Sequence, residues 1–312
     1  MTVKNNPSYL LLLIGLFIIG ISPLKAQEQG FAPSTDGTDI HYTVIGEGNP
    51  LLLINGGPGY SSHHFVNIGK QISDSTRRRV ILFDQRGTGK SELETIDSTT
   101  VNMELMVKDI EAIRKHLDIE HWDVMGHSFG GILAMFYAAD HGDRISKLIL
   151  SASGGIDASF VGYVTPNVRM RLSDHNREKL DHWSDPDNIT DPVEALNKRT
   201  EAFAEATVYD KSHMPDIVKA LTAPGAYKDQ INGLVWTDLL GNNYNLEPEL
   251  QNFDKPALII QGRQDYVGDA TAFRIHMALP NSELFFINRS GHYMWVDRPE
   301  VYSNKLDSFL NP

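Results

Sequence analysis

The stretch Asp123-Val-Met-Gly-His-Ser-Phe-Gly-Gly131 leaves this chain few ways to fold. An apolar run ends at Gly126, Ser128 follows, two more glycines come next, and residues 132–139 read as an apolar helix. Gly-x-Ser-x-Gly between a strand and a helix is the pattern of a sharp turn that projects a serine as a nucleophile. Gly126 and Gly130 flank the serine because side chains there would collide across the bend. The amide of Phe129, at the N-terminus of the new helix, is placed to stabilise an oxyanion. Such a turn needs a parallel sheet under it, and a base, an acid and a second oxyanion donor around it.

The rest of the chain supplies the sheet. Leu51–Ile54, Val80–Phe83, Ile145–Leu150, Ala257–Ile260 and Leu284–Ile287 are short apolar runs of the kind buried on both faces of a parallel sheet. Asp39–Ile45 alternates between glycine-rich turns and reads as an edge strand entered through a hairpin. Met103, Met106, Ile110, Ile113 and Leu117 carry the spacing of an amphipathic helix, and further helices are expected over 269–279 and 300–310. Strand and helix in alternation predict an α/β fold with a mostly parallel sheet and helices on both faces. The rhythm breaks over 156–250, a polar segment that reads as several helices and no buried strand. We expect a helical cap there, inserted between core segments 27–155 and 251–312. One cap helix is punctuated by Asp191 as N-cap, Pro192 in the first turn and Glu194 closing a capping box. Val193, Leu196, Thr200 and Phe203 form its expected inner face.

Composition excludes several classes. The formal net charge is −12, which disfavours nucleic acid or anionic lipid as a partner. No cysteine is present, so disulfides, cysteine catalysis and thiolate metal sites are excluded. Lys4, the apolar run Leu10–Ile21 and the small residue Ala26 read as a secretory signal peptide over 1–26, with a core too short for a comfortable membrane span. The mature chain is then expected from Gln27, secreted to the periplasm, with no stable membrane insertion. An uncleaved anchor is the alternative.

The base is expected after the last core strand and the acid after the strand before it. Asn288-Arg-Ser-Gly-His292 offers His292, whereas His276 falls inside an expected helix. Gln261-Gly-Arg-Gln-Asp265 offers Asp265, whose competitors are Asp269, a possible helix N-cap, and Asp157. The second oxyanion donor belongs in the loop after an early strand, where Gly56-Gly57-Pro58-Gly59 makes Gly57 the candidate amide. Gly89-Lys90-Ser91 resembles the end of a phosphate-binding loop, but Asp84 stands where that motif needs its first glycine, so nucleotide binding is rejected. His63 and His64 are adjacent and would point apart, and no metal-ligand spacing is present. Neither a metal nor another cofactor is called for.

Three motifs together resemble the proline iminopeptidases, serine aminopeptidases of the α/β-hydrolase fold: Asn55-Gly-Gly-Pro-Gly59, Asp84-Gln-Arg-Gly-Thr-Gly-Lys-Ser91 and Gly126-His-Ser-Phe-Gly-Gly131. Gly262-Arg-Gln-Asp265 and Gly291-His292 match that family's acid and base positions, and the resemblance covers residues 37–153 and 251–310. It implies release of N-terminal proline, or another small residue, from short peptides without a cofactor. It also implies that Asp84 and Arg86 brace the oxyanion loop. The chain departs from the family in having Asn55 where a histidine is usual, and in lacking an obvious Trp-Glu signature in the cap. Cap carboxylates hold the substrate amine in that family, and Glu201 and Glu205, one turn apart, are the candidates here, against the plainer reading of a solvated acidic face. Trp183, Trp236, Tyr227 and Tyr244 are candidates to line a pocket or to form the cap's own small core. A carboxylesterase or lactonase on the same machinery, acting on a small ester, is the competing expectation.

Overall fold

The computed structural model describes residues 27–312, so the signal-peptide reading of 1–26 lies outside the described residues. In chain order the elements are β1 (Glu28–Pro33), β2 (Asp39–Ile45), β3 (Asn49–Ile54), α1 (Val66–Thr76), β4 (Arg78–Phe83), α2 (Met103–His116), β5 (Trp122–His127), α3 (Phe129–His141) and β6 (Ile145–Ser151). Then come α4 (Val161–Arg171), α5 (Asp174–Ser184), α6 (Pro192–Thr207), α7 (Met214–Leu221), α8 (Asp229–Gly241) and α9 (Glu247–Leu250). The chain closes with β7 (Ala257–Gly262), α10 (Asp269–Ala278), β8 (Ser282–Ile287), α11 (Met294–Asp297) and α12 (Pro299–Leu310).

The eight strands form one sheet in the order β1-β2-β4-β3-β5-β6-β7-β8. The pairs β1–β2 and β2–β4 are antiparallel, and every other pair is parallel. The apolar runs alternate between two cores because successive strand side chains point to opposite faces. Leu52, Ile54, Ile81, Phe83, Val124, Leu148 and Leu150 pack under α2, α3 and α10. Leu51, Leu53, Val80, Leu82, Met125, Ile149 and Ile260 pack under α1 and α12. Burial on both faces is why these strands read as unbroken apolar runs. The spacing read for α2 holds: Met103, Met106, Ile110 and Ile113 are buried, and Asn102 caps the helix by accepting from the Leu105 amide at 3.0 Å.

One expectation about the strands changes. Asp39–Ile45 is not the edge, because β1 covers it residue for residue from Glu28↔Val44 to Pro33↔Asp39. The helical insertion between β6 and β7 shares part of its packing with the sheet's own core. Ile231, Val235 and Leu239 of α8, with Leu246 and Leu250, belong to the same core as α2 and α3. The separate small cores of the insertion are Ala204, Val208, Ile217 and Leu221, and Val168, Leu172 and Ala206.

The chain leaves β3 towards β4 on one side and returns to pair β5 on the other. The loops after β3 and β5 therefore diverge and open a crevice at the carboxyl ends of adjacent strands, the place where open α/β sheets bind ligands.

Candidate active site

Ser128 sits in that crevice at φ 56°, ψ −122°, a conformation that L-residues rarely adopt. The turn is held by its own backbone: the Ser128 amide donates to Ser151, and the Ser128 carbonyl accepts from Gly131 and Gly154. The flanking glycines are required by close approach. A Cβ on Gly126 would overlap the Gly130 carbonyl, one on Gly130 the Ile54 carbonyl, and one on Gly131 the Ser153 hydroxyl. Gly56 lies so close that a Cβ there would stand 3.1 Å from that of Ser128.

Asp265 and His292 arrive from the loops after β7 and β8 and meet at 3.0 Å, Oδ1 to Nδ1, with 1% and 2% of their surfaces exposed. Asp265 Oδ1 also accepts from the Val267 amide at 3.0 Å, and Oδ2 accepts from Gln261 Nε2 at 2.9 Å. The carboxylate makes Nδ1 the protonated nitrogen, which leaves the Nε2 lone pair for the cavity that His292 and Ser128 both line. Gly262 makes the meeting possible, since a Cβ there would overlap the Gly291 carbonyl. Tyr266 packs tilted against His292 with ring centroids 4.5 Å apart and lines both cavities beside Ser128. Among the described residues no direct hydrogen bond joins Ser128 to His292. Such bonds commonly tighten only when substrate is present. His127 packs on the other side of His292, at 4.6 Å. Burial holds it neutral, far below the ordinary histidine range, and a proton on it would be disfavoured further beside His292 and His64. Nothing in the sequence singled out His127 or Tyr266.

The amides of Gly57 and Phe129 make no hydrogen bond among the described residues, as oxyanion donors should before substrate arrives. Asn55 explains how the Gly57 loop keeps its shape without the family's histidine. Its Nδ2 donates to the Gly56 carbonyl at 2.9 Å and to the Tyr60 carbonyl at 3.0 Å, tying together the two ends of the loop. Asp84 holds the exit of the same loop through the Ser62 amide and hydroxyl, both at 2.8 Å. Arg86 does not brace this loop. It is fully buried, makes a two-pronged pair with Asp109 of α2 at 2.6 and 2.8 Å, and reaches Asp36 and the Thr100 carbonyl. The Gly89–Ser91 segment is structural too: the Ser91 hydroxyl bonds the Asp84 carbonyl at 2.7 Å.

The other carboxylate candidates have other partners. Asp269 pairs with Arg263 at 2.6 Å and does not cap α10, whose N-cap is Gly268. Asp157 pairs with Arg274. His276 bonds Ser282 at 2.8 Å in α10. Of the adjacent pair, His63 is exposed while His64 lines the cavity and bonds the Ser61 carbonyl at 2.9 Å.

Ser128 lies between two cavities that share Gly57, Phe203 and Tyr266. One, of about 310 Å³, is the more polar of the two and takes in Tyr60, Arg199, Thr200, Tyr227, Asp229 and Asn232 among its apolar walls. The other, of about 330 Å³, contains no charged side chain and is walled by Phe129, Ile132, Phe160, Val164, Trp236 and Leu240. Trp236, a pocket candidate, lines this second cavity. Glu201 and Glu205 line neither cavity. Glu201 pairs with Lys179, and Glu205 holds the start of α5 through Ser173 and Asn176. Asp229 is the carboxylate that faces the polar cavity, 3.1 Å from the Tyr227 hydroxyl. Tyr244 is buried and bonds the Gly155 carbonyl, and Trp183 lines neither cavity. In α6 Asp191 caps as expected, accepting from Val193 and Glu194, but no return bond from Glu194 forms among the described residues. Val193 is 67% exposed, and alanines 195, 202, 204 and 206 form the inner face with Thr200.

The insertion also holds the candidate acid and base. The carbonyl of Thr207, the last residue of α6, accepts from the His292 amide at 2.7 Å, and Arg171 of α4 donates to the Asp265 carbonyl at 2.8 Å and the Gln264 carbonyl at 2.9 Å.

A family model described as alpha/beta hydrolase fold matches residues 49–299. A proline iminopeptidase of Lactobacillus helveticus is 25% identical over 290 residues, covering 88% of this chain and 95% of its own. Among solved structures, a proline iminopeptidase from Mycobacterium smegmatis superposes with a TM-score of 0.69 at 21% identity, covering 91% of this chain and 97% of its own. An esterase from Exiguobacterium antarcticum does so with 0.67 at 21% identity, covering 91% and 100%. With an elbow serine between carboxyl-end loops of a mostly parallel sheet, and a family match over most of its length, this chain belongs to the alpha/beta hydrolase family and is a hydrolase.

Proposed function

We propose that the protein removes an N-terminal residue, proline by preference, from short peptides by acyl transfer to Ser128. The observation that carries this reading is the convergence of Ser128, His292 and Asp265 with the unpartnered Gly57 and Phe129 amides in one crevice. The names of the curated relatives support the peptide class. Ser128 Oγ attacks the carbonyl carbon while its proton passes to His292 Nε2. The developing oxyanion receives the Gly57 and Phe129 N–H groups, and Asp265 stabilises the imidazolium. Collapse expels the amine, which leaves with the proton from His292. Water then enters, and its oxygen attacks the acyl carbon as its proton passes to the same nitrogen. Collapse breaks the Ser128 ester, the proton returns from His292 to Ser128 Oγ, and the acid leaves. Asp229 is the group offered to the substrate ammonium, in place of Glu201 and Glu205.

The uncharged cavity favours a second reading, a carboxylesterase or lactonase, because an acyl or alkyl chain would fill it without desolvating a charge. Prolyl and alanyl anilides assayed beside aryl esters decide between the two. Ester cleavage without anilide cleavage overturns the peptidase reading, and activity that survives Ser128→Ala overturns the mechanism. We also propose that the protein acts in the periplasm after losing residues 1–26. Mass spectrometry of the fractionated protein should find an N-terminus at Gln27.

A further inference from the structure

Arg199 projects from α6 into the polar cavity that opens on Ser128. It makes no ion pair or hydrogen bond among the described residues, although acidic side chains lie close in sequence and in space. The reason is local geometry. Glu201 and Glu205 leave α6 on other faces and are engaged by Lys179, Ser173 and Asn176. The positions one helical turn away from Arg199 are Ala195, Leu196, Ala202 and Phe203, none of which bears charge. Asp229 faces the same cavity without pairing with Arg199, and its near donor is the Tyr227 hydroxyl. Tyr60 and Thr200 line the same cavity as the guanidinium, and burial pushes the Tyr60 hydroxyl up to about 12, so it remains a donor at neutral pH.

One lobe of the site therefore presents a cation and an anion that do not satisfy each other. An ammonium alone would be repelled by the guanidinium, and a neutral ligand would leave both charges without partners. A molecule that carries both signs fits. We propose that the polar cavity recognises the free carboxylate of a short peptide through Arg199, with the ammonium directed to Asp229, so that dipeptides with an open C-terminus are preferred over amides and longer chains. This rests on the aminopeptidase reading for its substrate class. The carboxylate preference itself can be read on any substrate that acylates Ser128. A guanidinium is suited to the task because its planar donors match a carboxylate two-to-two.

The test pairs substrates that differ only in that charge. Prolyl-alanine is compared with prolyl-alanine amide, and 4-acetoxybenzoate with its methyl ester, using wild type, Arg199→Gln and Arg199→Lys whose folding is checked by thermal unfolding. In wild type kcat/KM should favour the carboxylate member at least tenfold, mostly through KM. The ratio should fall to about one in Arg199→Gln and be partly restored in Arg199→Lys. Equal rates for the members of each pair in wild type overturn the inference, as does a preference that survives Arg199→Gln. If only the esters are cleaved, the aminopeptidase reading fails. The benzoate pair then still decides whether Arg199 selects a carboxylate.

Discussion

Replacing Asp265 by asparagine would separate the two services a carboxylate gives a histidine: fixing its tautomer and stabilising its charge. An asparagine could present either face to His292. If it turned its NH₂ towards Nδ1, the ring would be driven to the wrong tautomer, and losses of about 10⁴-fold follow from that in a serine triad. The structure opposes this orientation. Oδ1 accepts from the Val267 amide as well as from His292. The Val267 donor is fixed backbone, so an NH₂ group there would face two donors at once. The opposite orientation requires only that the Gln261 amide, now bonded to Oδ2 through Nε2, rotate to present its oxygen. Asparagine should therefore keep the ring's tautomer and lose only the charge. A unit charge about 4 Å from the imidazolium is worth about 4 kcal/mol at an effective dielectric of 20, and the asparagine carbonyl dipole recovers part of it. Asp265→Asn should then lower kcat by about 10²- to 10³-fold with little change in KM, measured on whichever substrate wild type turns over through Ser128. A loss of 10⁴-fold or more would refute the orientation argument. A loss under tenfold would remove Asp265 from the acid's role.

Three further outcomes can be checked directly. Arg86→Ala leaves the Asp109 carboxylate buried without its cation and should cost about 3–5 kcal/mol in urea unfolding, whereas an Arg86 that braced only the oxyanion loop would lower activity with little loss of stability. Glu111 should contribute an acid transition. Burial favours its protonation, but hydrogen bonds from Arg114 and Tyr137 outweigh that and hold it at about 2 against an ordinary 4.5. Its contribution is then fully present above pH 4.5 and is lost as the pH falls towards 2, so Glu111→Gln should flatten the fall of the unfolding temperature across that window. Arg171→Ala removes two of the three side-chain bonds from α4 to the Asp265 loop, leaving that of Asn167 to the Tyr266 carbonyl, and should lower kcat about 10- to 100-fold through misplacement of Asp265, with unfolding nearly unchanged.

What could be read from the chain alone follows from how local each signal is. Strands β3 to β7 are buried on both faces, so their apolar runs needed no knowledge of neighbours. The order of serine, acid and base is a property of topology; it put forward Ser128, Asp265 and His292, and the structure brings the last two into contact. β1 was missed because Glu28–Pro33 is a half-exposed edge without an apolar run. The failure of Glu201 and Glu205 has the same root. Whether an acidic helix face meets a ligand or a lysine is decided by Lys179 on another helix, which no spacing within α6 can reveal. Arg199 and Asp229 belong to no motif and become visible only when α6 and α8 are brought to the same crevice.

The bonds from Thr207 to His292 and from Arg171 to Asp265 bear on how such enzymes can diversify. A helical insertion over a mostly parallel sheet suggests an interchangeable part, and a graft of residues 156–250 from another family member would be the natural experiment. Here the graft would also remove the acceptor for the His292 amide and the donors to the Gln264 and Asp265 carbonyls. A donor segment that lacked equivalents of these ties would change turnover on every substrate at once. New specificity in this lineage is therefore more accessible through substitutions on the inward faces of α6 and α8, at positions such as Arg199 and Trp236, than through exchange of the whole insertion.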